Sequence, residues 1–124
     1  MLKQVLIVED SEACAETLQI ALESMHGIET RVIHSPGLVI AAMRESAIEI
    51  AAIVTDLHLP HLDGFDLIRQ LRAEPRFARL PILLISGDSD PLLPEKALAY
   101  GANAFFPKPY SPSAVRRKLE QLLC

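Results

Sequence analysis

The chain has 124 residues, 50% of them apolar and 23% charged, the balance of a globular domain that can bury a full core without disulfides or a structural metal. Its net charge of −4, with acids and bases interleaved, excludes the basic stripe of an electrostatic nucleic-acid binder. No apolar run approaches the roughly 18 residues of a membrane span, residues 1–4 lead straight into a strand pattern, and Cys14 and Cys124 stand in no metal-ligand spacing, so a cytoplasmic protein is expected.

Along the chain the hydrophobic period switches regularly between strand and helix. Residues 5–8 form a short apolar run, continuous rather than alternating, as in a strand covered on both faces. Cys14, Leu18, Ala21, Leu22 and Met25 then recur at i, i+4, i+7, i+8 and i+11, one face of a helix. That spacing would bury Cys14 as a small hydrophobe, and Gly27 stands where the helix should end. A second strand over 28–33 is followed by Ser35-Pro36, which reads as an N-cap with proline at the first position of the second helix. After a third strand over 50–54, Asp63 can cap the third helix, with Asp66 in its first turn. The fourth strand covers 82–85, and Gly101 marks the end of the fourth helix. A fifth strand over 104–106 runs into Pro107, whose missing N–H suits a sheet edge. Ser111-Pro112 then opens a last helix that buries Val115, Leu119 and Leu122.

Five β-α units imply an α/β fold: a doubly wound five-stranded parallel sheet with five helices on its two faces. The order 2-1-3-4-5 puts the proline-ended strand at an edge. Ligands of such sheets bind beyond the carboxyl ends of the strands, so the residues that end each strand matter most. The first strand ends in Glu9-Asp10, the third in Thr55-Asp56, the fourth in Ser86, and the fifth leads to Lys108. The second ends in His34-Ser35 and offers nothing obvious. Singly, such an aspartate is ordinarily a helix cap and such a lysine or serine solvated surface. Jointly, three acids, a hydroxyl and a lysine converge on one rim.

Bare carboxylates there would repel one another, and a hard divalent cation such as Mg²⁺, with Mn²⁺ a workable substitute, relieves that repulsion. Such an ion also lets a carboxylate approach a phosphoryl group, which it can accept covalently. Transfer then requires mainly positioning and charge neutralisation. Lys108 offers a point charge and Ser86 a hydrogen bond.

Val8-Glu9-Asp10-Ser11, the run Asp56-Leu57-His58-Leu59-Pro60-His61-Leu62-Asp63-Gly64, Ser86-Gly87 and Lys108-Pro109 resemble the response-regulator receiver family, in order and over essentially the whole chain. The resemblance implies the flavodoxin-like sheet order 2-1-3-4-5 and a two-component phosphorelay in which Asp56 is the phosphoacceptor. It further implies that Asp10 binds the metal directly, Glu9 assists through water, and the backbone carbonyl of His58 completes the protein ligands. By the same resemblance Ser86 is the switch hydroxyl, Phe105 the switch aromatic, Lys108 the phosphate-contacting lysine, and Lys108-Pro109 a cis peptide. His58 and Asp88, each two residues past a key position, would flank the phosphoryl group and tune its loss to water. The donor would be a histidine kinase or histidine phosphotransfer protein, with no enzymatic activity beyond self-phosphorylation and autodephosphorylation. Phosphorylation would alter the surface of the fourth helix, fifth strand and fifth helix, carrying Leu92, Leu93, Tyr100, Phe105, Tyr110 and Arg116, for a downstream protein or a second copy. Neither nucleic acid nor membrane is an expected partner. The pattern closes with the fifth helix, so residues 1–124 read as one receiver domain without an output domain.

Three other functions compete. An aspartyl-phosphate phosphohydrolase on a related fold would carry an Asp-x-Asp motif after its first strand, where this chain has Glu9-Asp10-Ser11-Glu12. A zinc site at His58 and His61 lacks an evident third nitrogen or sulfur ligand. A flavin domain needs a glycine- or hydroxyl-rich phosphate loop where this chain places acids.

Overall fold

The computed structural model describes residues 2–59 and 62–123, with Pro36 described in its backbone alone. Pro60 and His61 of the central motif, and Cys124, lie outside the described residues, so the pairing of His61 with His58 in a zinc site is not addressed.

Five parallel strands, β1 (Lys3–Val8), β2 (Ile28–Ile33), β3 (Glu49–Asp56), β4 (Ile82–Ser86) and β5 (Ala104–Pro107), form one sheet in the order β2-β1-β3-β4-β5. The helices are α1 (Glu12–Glu23), α2 (Val39–Glu45), α3 (Gly64–Ala73), α4 (Leu93–Tyr100) and α5 (Pro112–Leu123). Successive strand residues face opposite sides, and both sides are covered. Leu6, Val8, Ile53, Ile82 and Leu84 pack with Met43, Leu67, Ile68, Leu71, Leu93 and Ala97 from α2, α3 and α4. Val5, Ile7, Ala52, Val54, Leu83 and Ile85 pack with Ala15, Leu18 and Leu22 of α1 and Val115 and Leu119 of α5. The unbroken apolar runs of the central strands follow from this two-sided burial.

Two expected caps are made: the Asp63 carboxylate accepts the Asp66 N–H at 2.9 Å and the Ser111 hydroxyl the Ala114 N–H at 3.3 Å. Pro107 pairs only at the β4 side of the edge strand, where its missing N–H costs no ladder bond.

Elsewhere local signals misplace a boundary or a face. Ser35-Pro36 opens a 3₁₀ turn (Pro36–Leu38), and α2 begins only at Val39, with Leu38 at its N-cap making no side-chain bond. Gly27 lies beyond Ser24, the actual C-cap of α1, in the turn that leads into β2. Cys14 is half-buried rather than core: α1 turns Ala15, Leu18 and Leu22 inward, which leaves Cys14 at the margin of that face.

Candidate functional site

β1 and β3 are neighbours at the centre of the sheet, with β4 and β5 beyond, so their carboxyl ends bring distant residues to one rim. Glu9, immediately after β1, is fully buried. Its Oε1 accepts the Ser11 N–H at 3.0 Å and its Oε2 the Lys108 ammonium at 3.2 Å. Ser11, not Asp10, caps α1 through the Cys14 N–H at 3.4 Å, which leaves the exposed Asp10 carboxylate out of capping.

Asp56 ends β3 and is 5% exposed. Its Oδ1 accepts the His58 N–H at 3.1 Å and its Oδ2 the Lys108 ammonium at 2.6 Å. The glycine of the Asp63-Gly64 pair is needed here for close approach. A Cβ on Gly64 would stand 2.7 Å from the Asp56 carbonyl oxygen and 2.9 Å from the Leu57 Cα, while the Gly64 N–H donates to the Leu57 carbonyl at 2.6 Å. α3 is thereby sewn against the backbone that carries Asp56.

Ser86 ends β4, fully buried, with its Oγ accepting the Asp88 N–H at 3.0 Å. The Lys108 N–H donates to the Ser86 carbonyl at 2.7 Å, and the Lys108-Pro109 bond is cis. His58 and Asp88 meet across the mouth, Nε2 to Oδ2, at 3.3 Å. Phe105 is half-buried against the α2–α4 side of the core.

Glu9, Asp10 and Asp56 each offer a carboxylate oxygen within 4.8 Å of the others. Three carboxylates against one ammonium leave a formal excess of two negative charges (3 − 1 = 2) among these four groups. Burial, with the charge of Asp56 added, holds the Glu9 carboxyl above its ordinary pKa despite the Ser11 N–H and Lys108. Burial alone would lower the Lys108 pKa, yet the hydrogen bond and charge of Asp56, reinforced by Glu9, hold it above the ordinary lysine value. The donor set fits a hard dication. Mg²⁺ takes one or two carboxylates, which three clustered acids can supply, together with waters.

Beside Lys108 an apolar cleft of about 510 Å³ is lined by Ala13, Cys14, Thr17, Pro109, Tyr110 and Pro112. Burial in its wall, with the nearby Cys14 and Glu9, pushes the Tyr110 phenol up to about 12.

Of the surface expected to carry a partner, Leu92 and Tyr100 are exposed and Leu93 is core. Tyr110 packs on the α1–α5 side, and Arg116 reaches Ser24 on α1 at 2.9 Å. Those last three therefore do not belong to one α4-centred face, whereas Leu98, 59% exposed, adds to it. Sequence reading also passed over His34. Its Nδ1 lies 2.9 Å from the Glu9 carbonyl oxygen, a contact no motif signals because it joins the edge strand to the site through one side chain.

Among the described residues no helix is long and apolar enough to cross a membrane. The family model for the response regulator receiver domain matches residues 5–120. Chemotaxis protein CheY1 of Helicobacter pylori is 27% identical over 120 residues, 97% of this chain and 96% of that protein. The transcriptional regulatory protein GltR of Pseudomonas aeruginosa is 30% identical over 121 residues, 98% of this chain but 49% of its own length. A response regulator from Chloroflexus aurantiacus superposes with a TM-score of 0.89 at 27% identity, covering 99% of this chain and 98% of that one. Fold, rim and relatives agree: the chain belongs to the response regulator receiver domain family of two-component signalling.

Proposed function

We propose that the chain is a Mg²⁺-dependent phosphorylation switch whose acceptor is Asp56 and whose donor is the phosphohistidine of a histidine kinase or histidine phosphotransfer protein. One observation carries this reading: the Asp56 carboxylate sits at the rim with the Lys108 ammonium 2.6 Å from one oxygen and the Glu9 and Asp10 carboxylates beside it. An Asp56 oxygen attacks phosphorus, the P–N bond to the donor imidazole breaks, and its electron pair returns to the ring nitrogen, leaving an aspartyl phosphate. Glu9, Asp10, Asp56 and the His58 backbone carbonyl would hold Mg²⁺ or Mn²⁺. When bound, the ion neutralises the clustered acids and the phosphoryl oxygens. Lys108 then trades the carboxylate for a phosphoryl oxygen. It is already charged and half-desolvated, so little reorganisation is required.

Ser86 reads the phosphate out. Its Oγ accepts the Asp88 N–H, the Asp88 Oδ1 accepts the Asp90 N–H at 2.9 Å, and the Asp90 Oδ1 accepts the Leu92 N–H at 2.9 Å. A hydroxyl drawn toward a phosphoryl oxygen must release the first of these bonds, and the following turns pass that change to the start of α4. Phe105 would then turn into the space that Ser86 vacates. The exposed Leu92, Leu98 and Tyr100 supply the face where a downstream protein or second copy reads the result. His58 and Asp88, joined at the mouth, govern how water reaches the phosphoryl group. Residues 1–124 act as one receiver domain, and the only chemistry is gain and loss of its own phosphate.

A small acyl phosphate with Mg²⁺ should add one acid-stable, alkali-labile phosphoryl group to wild type and none to Asp56→Asn, read by intact mass. Equal labelling of the variant would move the acceptor elsewhere.

A further inference from the structure

We propose that His34 is a positioning residue for the metal end of β1: its ring N–H holds the Glu9 carbonyl, so that Glu9 and Asp10 are preset to share one divalent cation. The proposal rests on the metal reading of Glu9, Asp10 and Asp56 above.

The β1–β2 ladder ends at the pair Val8 and Ile33. One more bond follows, from the Glu9 N–H to the Ile33 carbonyl at 3.3 Å. After Ile33 the chain leaves the sheet for the 3₁₀ turn at Pro36–Leu38. Among the described residues no backbone N–H of β2 reaches the Glu9 carbonyl. The His34 side chain takes that place at 2.9 Å. A carbonyl oxygen only accepts, so Nδ1 carries the proton. One neutral tautomer and the imidazolium both satisfy this, and the contact does not depend on the charge of the ring.

The two bonds fix both peptide planes that flank Glu9. The N–H bond sets the Val8–Glu9 plane, and the His34 bond sets the Glu9–Asp10 plane. Glu9 has further anchors of its own, since its carboxylate is held by the Ser11 N–H and Lys108. Asp10 has none of these. Its carboxylate is exposed, and among the described residues no donor is hydrogen-bonded to it. The aim of Asp10 therefore depends on the peptide plane that His34 fixes. Groups that orient metal ligands without touching the ion are worth roughly tenfold or more in affinity. A solvent-exposed ring just past the edge strand contributes little to folding by comparison.

The test is calorimetric titration of Mg²⁺ into wild type, His34→Ala and His34→Asn, with apo melting temperatures measured alongside. The Asn Nδ2 occupies the place of the His Nδ1, both attached to Cγ, so it can restore the N–H donor. The expected result is an affinity about tenfold weaker for His34→Ala and within about threefold of wild type for His34→Asn, at nearly equal melting temperatures. Wild-type affinity in His34→Ala would overturn the proposal, as would His34→Asn binding as weakly as His34→Ala. If wild type itself took up no Mg²⁺, the metal assignment of the rim would fall first. That failure is distinct from one confined to the variants.

Discussion

Two partly buried cations, one at each end of the sheet, are held in opposite ways. Lys108, at the carboxyl rim, lies among charged oxygens of Asp56 and Glu9, and its pKa is raised. Arg72, near the C-terminus of α3, binds only neutral acceptors. Its Nε and Nη2 donate to the Gly101 carbonyl at 3.1 and 2.7 Å, its Nη1 to the Phe77 carbonyl at 2.9 Å, and its Nη2 to the Asn103 Oδ1 at 3.1 Å. Burial lowers its pKa. An ammonium among carboxylates is a point charge that another cation can replace. A guanidinium fork spread over fixed carbonyls is a geometric fit that no ion reproduces. One end of the sheet is thus built for exchange and the other for permanence.

The largest effect is expected at the permanent end. Arg72→Ala strands the Gly101 and Phe77 carbonyls and should cost about 3 kcal/mol in urea unfolding. Mg²⁺ affinity should stay unchanged, and Mg²⁺ should restore no more stability than it adds to wild type. A changed affinity would break the separation of the two ends. Lys108→Met comes next. It leaves Glu9 and Asp56 without their counter-charge, at about 2 kcal/mol, less than a fully buried pair because the site opens to water. Here Mg²⁺ should restore most of the loss and bind severalfold more tightly than to wild type, read from melting curves with and without the ion. Weaker binding would mean that the ammonium supports the ion instead of competing with it.

The smallest effect concerns Tyr110 and sharpens the picture of the charged end. Its phenol is pushed from 10.0 up to about 12 by burial and nearby negative groups. Between those values the folded chain holds a proton that the unfolded chain has lost. The contribution is therefore fully present below pH 10 and is lost as pH rises toward 12. The change should reach no more than about 1 kcal/mol for a half-exposed group. Ultraviolet phenolate titration of wild type minus Tyr110→Phe should give the raised value. A difference spectrum centred near 10 would remove burial as a force at this position.

Some of this was legible locally. Asp63 and Ser111 announced their caps because an N-cap bond spans only three residues. Pro107 announced the sheet edge because it lacks an N–H. Ser35-Pro36 misled for the same local reason: the pair suits the start of a 3₁₀ turn as well as that of an α-helix, and packing of Val39 and Met43 decided where α2 begins. Cys14 kept helical spacing with Leu18, but spacing gives a face without fixing how far it turns inward. Adjacency of α4 and α5 to β5 suggests one shared surface for Leu93 and Arg116, but adjacency of elements does not fix where their side chains go. The structure sends Leu93 into the core and Arg116 to α1.

Sequence alone determined the alternation of strands and helices, the residues that end each strand, and the motif that names the family, since each depends on period or on near neighbours in the chain. Tertiary structure decided which groups share a proton, a charge or a carbonyl: Lys108 between Glu9 and Asp56, His34 on Glu9, and Arg72 on the Gly101 carbonyl at the end of α4. Those contacts join residues about 25 to 99 positions apart. Their distances are set by sheet order and side-chain reach, which have no signature in local sequence.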